Sequence, residues 1–249
     1  MKRFALLTKA IFLMNIRNQL ILFWNLAFPI LLLVIYYFAF GQGQVGGTNY
    51  ITWVVPGVVV FNILSFGLLG SGTMMVGMRE KGILQRLQAT PVPALSLVGS
   101  YLLVNVLIGL LQSTLVISFA ALVFGMPLTW TGVLRTLPMV IIGIVTFVAV
   151  GQVISGAVST AGAAVIVGQV LNFSQMFITD MVMPVQTMPM WLQKAVPYLP
   201  AYAVVQLVRP PLLEGQFGPN LGFNLLIATA YIVLSTLAAA RLFRWAPKA

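Results

Sequence analysis

The chain has 249 residues, of which 60% are hydrophobic and 6% charged, and its net charge is +10. Soluble domains carry roughly 25% charged residues, so this composition excludes a soluble fold and leaves no room for a soluble domain between the apolar runs. With no Cys, no His and three scattered carboxylates, thiol chemistry, transition-metal ligation and paired acid/base catalysis are excluded as well.

The predicted class is therefore an all-α polytopic membrane protein, a single transmembrane domain over residues 1–249. Basic residues stand at the ends of apolar runs, as topology signals do. They form no continuous face, so membrane lipid is the expected contact and nucleic acid is not. In residues 1–19, Phe4, Leu7, Ile11 and Met14 recur at spacings of three and four among Lys2, Arg3, Lys9 and Arg17. That pattern predicts an amphipathic helix lying in the membrane interface. The charges spread through to Arg17 and no short apolar core with a cleavage site follows, so no cleavable leader is expected.

A membrane-spanning helix needs about 20 mostly apolar residues. Six runs qualify: 20–40, 50–78, 94–124, 133–155, 161–181 and 221–240. Pro29 falls inside the first and is expected to kink it. Gly67, Gly70, Gly72 and Gly77 in the second permit close helix approach. Six spans put both termini on one side. Ten basic residues then lie on the side of the termini, and Arg135, Lys194 and Arg209 lie on the other. By the positive-inside rule the termini and the stretch 79–93 are cytoplasmic.

Arg79 to Pro93, REKGILQRLQATPVP, is a charged island between two apolar runs. Ile83, Leu84 and Leu87 share one helical face, while Arg79, Glu80 and Arg86 fall largely elsewhere. Pro91 and Pro93 stop the helix. The apolar face needs a cover, either lipid headgroups or a groove in a soluble partner. No GxxxxGK[ST] phosphate loop occurs in the chain, so it supplies no ATP energy of its own. A secondary carrier would instead couple ions through ionisable groups within the membrane, and Asp180 and Arg135 are the candidates.

The order of an N-terminal interfacial helix, two spans, RExGxLxRLxxTP and four more spans resembles the ABC-2 type permease family, the membrane subunits of ABC exporters. Arg79, Glu80, Gly82, Leu84, Arg86, Leu87, Thr90 and Pro91 carry the resemblance, with Ile83 on the same segment. It departs from the family pattern at Gln85, where Glu is frequent, and at Gln88, where a basic residue is common. The resemblance covers nearly the whole chain. It implies that 79–93 is a coupling helix docking on a separate ATP-hydrolysing subunit. ATP and Mg would then be bound on that partner, and this chain would bind no cofactor and perform no catalysis. It also implies a second permease chain, identical or related, and a prokaryotic plasma-membrane location.

Met183 to Pro219 holds seven prolines among apolar residues. It is too apolar for an ordinary loop and too broken for a span. Trp191, Tyr198 and Tyr202 could anchor it in the outer headgroups. The resemblance implies instead short re-entrant outer helices over the exit path. It further implies that spans two and five line that path. Phe61, Asn62, Phe66 and Met74 would come from the one, and Asn172, Phe173, Met176 and Phe177 from the other. Methionine and phenylalanine walls suit a lipophilic or amphipathic small molecule. Asp180 ends the fifth run, where a carboxylate is costly unless solvated or paired. Its expected states are a solvated span end, a pair with Arg135 or Lys194, or a contact with a cationic substrate. The alternative function is an ion-coupled secondary transporter or channel using Asp180.

Overall fold

The computed structural model describes residues 2–17, 19–41, 43–88 and 94–243. The described chain is helical apart from short turns and one two-stranded ribbon. Helix α1 (Lys2–Arg17) leads into α2 (Gln19–Phe40), which carries Pro29 inside it. Strands β1 (Gln44–Val45) and β2 (Thr48–Asn49) form a small antiparallel hairpin turning at Gly46 and Gly47. Both glycines have positive φ, and a Cβ on either would meet nothing within 4 Å. The connection is a tight hairpin, because paired left-handed glycines make a turn that matches strand twist.

Asn49 caps α3 (Tyr50–Ser65) by accepting a hydrogen bond from the Ile51 N–H at 2.9 Å. The helix continues through a π-helical segment (Phe66–Ser71) into α4 (Gly72–Glu80). The second apolar run therefore stays helical to Glu80, two residues past the expected end at 78. A turn at Lys81 and Gly82 leads to α5 (Ile83–Gln88). Next come α6 (Ala94–Phe124), α7 (Trp130–Ala157) and α8 (Ala161–Ile178). The expected fifth run to 181 stops as a helix at Ile178, because Asp180 sits at φ +63° and a residue there cannot continue a right-handed helix. Helices α9 (Met190–Ala195), α10 (Pro200–Glu214) and α11 (Leu221–Leu242) complete the order.

Among the described residues, five stretches are long and apolar enough to cross a membrane: Tyr50–Glu80, Gly99–Phe124, Trp130–Ala157, Ala161–Ile178 and Leu221–Leu242. Leu26–Phe40 is apolar but shorter. The Tyr50–Glu80 stretch is the axis of the fold, with α2, α6, α7, α8 and α10 packed around it. Close contact depends on missing side chains. A Cβ on Gly67 would lie 2.5 Å from the Phe147 Cβ, and one on Gly151 would lie 2.2 Å from the Gly67 carbonyl oxygen. The π segment thus rests directly on the α7 backbone. The Ser71 hydroxyl donates to the Gly67 carbonyl at 2.6 Å, which occupies an acceptor inside the irregular turn.

The proline-rich segment is folded inward. Ala201, Ala203, Val204, Val205 and Val208 of α10 are fully buried against α3, α7 and α11. Pro210 and Pro211 lie in its last turns, and Gly215 closes it at φ +70° with its N–H on the Pro211 carbonyl. By contrast, α8 and α11 present exposed apolar faces, through Ile166, Val170 and Phe177 on one and Leu226, Leu234 and Leu237 on the other. Faces of this kind belong against lipid or another chain.

Candidate functional site

The charged motif divides at Gly82. On one side, Arg79 and Glu80 close α4 and turn toward the connection between α7 and α8. The Arg79 guanidinium, buried to 5% exposure, donates to the Ser155 carbonyl at 3.0 Å and also to the Val158 carbonyl. Those acceptors terminate α7, where carbonyls lack helical partners. The Glu80 carboxylate accepts the backbone N–H of Ala161, the first residue of α8, at 3.1 Å. Thr160 caps the same helix, its hydroxyl oxygen accepting from the Ala163 N–H at 3.2 Å. A cation at a helix C-terminus and an anion at a helix N-terminus both match the local dipoles.

On the other side, Gly82 stands at φ +66°, the left-handed region that suits glycine. It redirects the chain into α5. Leu84 is then buried in a cluster with Ile11, Met75, Met78, Tyr101, Val104 and Ile108, and Ile83 packs half-buried on the same cluster. This corrects the expectation that the apolar face needs lipid or a foreign groove: for Leu84 and Ile83 the chain itself provides the cover. Lys81, Gln85 and Arg86 are left exposed. Thr90 and Pro91 lie outside the described residues, as does the side chain of Leu87.

Two cavities open along the same axis. The first, about 260 Å³, is lined by Phe28 and Pro29 of α2, by Phe61, Asn62, Ser65 and Leu69, and by Gln169, Asn172 and Phe173 of α8. The second, about 660 Å³, runs toward the motif end past Phe66, Met74, Met78 and Lys81, with Met14 and Asn15 of α1 and Val165 of α8. Ser65 and Leu69 line both. The first cavity carries no charged side chain. Its polar groups are three amides and a hydroxyl, with phenylalanines from three helices. The Asn172 amide donates to the Ser65 hydroxyl oxygen at 2.7 Å. The Asn172 Oδ1 is buried with no partner among the described residues. A buried acceptor left unmade costs about 1–3 kcal/mol.

Of the expected path residues, the structure brings Phe61, Asn62, Asn172 and Phe173 together at the first cavity, and Phe66 and Met74 at the second. Met176 is instead a core residue at 6% exposure, and Phe177 faces outward at 53%. Phe28, Ser65 and Gln169 line the first cavity too and are not among the expected residues. Ser65 and Gln169, polar positions inside apolar runs, were the available signal.

The far end of the bundle holds Asp180. Its carboxylate accepts from the Val185 N–H at 3.0 Å and from the Gln206 amide at 3.1 Å, and it forms an ion pair with Arg209. Arg209 also donates to the Asp180 carbonyl, and its guanidinium lies 4.1 Å from the Trp53 ring centroid. The Tyr50 hydroxyl donates to the Val182 carbonyl at 2.9 Å, and a Cβ on Gly57 would strike the Met181 carbonyl oxygen at 1.9 Å. The expected partners Arg135 and Lys194 are corrected to Arg209. Arg135 bonds the Gly215 carbonyl and stacks on Phe217. The pairing was hidden because Arg209 lies 29 residues away, on a segment whose prolines obscured a helix. Asp180 is 6% exposed, so it is not a solvated span end.

Membrane-length helices around an amide-lined cavity, with a polar motif between two of them, define a multi-pass membrane protein. Residues 2–213 match the family model described as ABC-2 type transporter. The chain belongs to that family, and is a permease component of an ABC transporter. No curated protein matches it.

Proposed function

We propose that the chain is the membrane subunit of an ATP-driven exporter, moving an uncharged lipophilic or amphipathic small molecule out of the cell. It crosses the plasma membrane six times, with α2 as the first span and both termini in the cytoplasm. Ten of thirteen basic residues fall on that side in this arrangement. ATP and Mg are bound by a separate ATPase chain, which meets the exposed Lys81, Gln85 and Arg86 of the motif. A second permease chain covers the open side of the cavities, and α9 and α10 form the outer closure.

The observation that carries this reading is the pair of cavities. They share Ser65 and Leu69, lead from the motif end into the middle of the bundle, and change along the way from a lysine mouth to a charge-free interior. A charge-free, phenylalanine-lined chamber favours a neutral ligand, since a desolvated ion needs a partner. The unmet Asn172 acceptor favours a ligand carrying a hydroxyl or N–H. The ion-coupled alternative gains nothing from Asp180, whose carboxylate is held by Arg209, Gln206 and the Val185 N–H.

The test is to purify the tagged chain from its native membrane and to follow export in cells. The expected result is a co-purifying ATPase, with export that stops when ATP is depleted and persists when the proton gradient is collapsed. Absence of any ATPase, with export tracking the gradient, overturns the reading.

A further inference from the structure

Three of the motif residues that the family resemblance assigns to a partner, Arg79, Glu80 and Leu84, are held by their own chain, and they reach two different groups of helices. Arg79 and Glu80 hold the end of α7 and the start of α8. Leu84, five residues after Arg79, is seated against α1 and α6 through Ile11, Tyr101, Val104 and Ile108. Between them lies Gly82, the left-handed joint. We propose that Arg79 and Glu80 are positioning residues that clasp the α7–α8 turn to the end of α4, so that a displacement of α5 reaches the cavity wall on α8. This rests on the permease reading above.

The physical case runs through helix termini. The Ala161 N–H is one of the amide donors that an α-helix cannot satisfy internally, and the Ser155 carbonyl is an orphan acceptor at the end of α7. Glu80 and Arg79 fill them from adjacent positions on a third helix. The guanidinium bonds lie within protein, where hydrogen bonds to charged groups are strong. The Glu80 bond is solvent-exposed, so it is the weaker and more readily exchanged of the contacts. Farther along α8 stand Gln169, Asn172 and Phe173, which line the first cavity. The rigid helix connects its clasped end to that wall. Glu80 therefore acts on α8 inside the permease, and the ATPase chain meets the residues that α5 leaves exposed.

Two substitutions test this in the permease–ATPase complex reconstituted in proteoliposomes. Glu80→Ala removes the acceptor. Ala161→Pro removes the donor and leaves every motif side chain in place. Proline is well suited to the first position of a helix, and Thr160 before it is already extended, at φ −120° and ψ 148°. Both variants are expected to capture the ATPase chain at wild-type level and to keep their thermal midpoint. Transport per ATP hydrolysed is expected to fall by about threefold in each, the scale of one exposed interaction with a charged group. Amide exchange in peptides covering the 156–163 turn is expected to rise. Glu80→Gln, which keeps an acceptor oxygen, is expected to recover most of the coupling.

Loss of the ATPase chain from Glu80→Ala, with Ala161→Pro unaffected, would make Glu80 a docking contact and overturn the clasp. Unchanged transport per ATP in both variants would overturn it too. If the wild-type chain captures no ATPase while exchange at the turn still rises in Glu80→Ala, the contact stands, but the exporter reading falls and the coupling role falls with it.

Discussion

The two ends of the bundle each bury an arginine at a helix terminus, and they use it differently. At the far end, Arg209 meets a full carboxylate charge, and Asp180 is further held by a backbone N–H and an amide. At the motif end, Arg79 meets carbonyl oxygens only, and the nearby Glu80 bonds a backbone N–H in an exposed position. One end is a buried ion pair, in which removing either partner alone leaves a buried charge behind. The other is a set of separable bonds to helix ends. On the proposed reading, the far end is the fixed closure and the motif end the part that moves.

The largest expected effect breaks the fixed end. Asp180→Ala leaves the Arg209 charge buried, a loss of about 3–5 kcal/mol, and the protein is expected to fail to accumulate or to melt many degrees lower in detergent. Replacing both partners by apolar residues of similar size, Asp180→Leu with Arg209→Met, should recover most of that stability. If the single substitution proves mild, the far end is no firmer than the motif end.

Next comes the close crossing that joins α7 to the π segment. Gly151→Val places new atoms where the Gly67 carbonyl lies, and overpacking of this kind costs about 1–3 kcal/mol. A lowered thermal midpoint with reduced transport is expected. Asn172→Ala is predicted to act chiefly on the substrate side, with the bond to the Ser65 hydroxyl lost as well. It removes a buried acceptor and opens space, so affinity for a hydroxylated neutral probe such as 2-naphthol should fall several-fold, by about one neutral hydrogen bond. Affinity for the methyl ether, 2-methoxynaphthalene, should be unchanged. Equal loss for both probes would sink the idea that Oδ1 receives a donor. The smallest effect on stability is expected from Arg86→Ala. Its exposed side chain contributes within about 0.5 kcal/mol, while capture of the ATPase chain from detergent extracts should weaken.

Much of the helical layout could be read from composition and hydropathy. The apolar run expected over 94–124 is helical from Ala94 to Phe124, because a long uninterrupted apolar stretch has one economical form in lipid. Phe61, Asn62, Asn172 and Phe173 could be nominated together from their residue types and the family resemblance, and they do share a cavity. What could not be read was long-range pairing. Nothing local tells Asp180 that its partner is Arg209 and not Lys194 or Arg135. Helical periodicity gave Leu84 an apolar face but not the identity of its cover, which comes from α1 and α6, far away in sequence. The direction of Arg79 and Glu80 was hidden for a related reason. Charges at the end of a span usually point to water, and the unmet groups at the ends of α7 and α8 that draw them inward exist only once the helices are packed.

The small hairpin at Gly46 and Gly47 offers a practical handle. Its tip projects into open space and packs on nothing, so an eight-residue epitope inserted there should leave the bundle intact. Antibody access to that epitope on unbroken cells would report directly which face of the protein looks outward. A tag at either chain terminus should then stay silent until the membrane is opened.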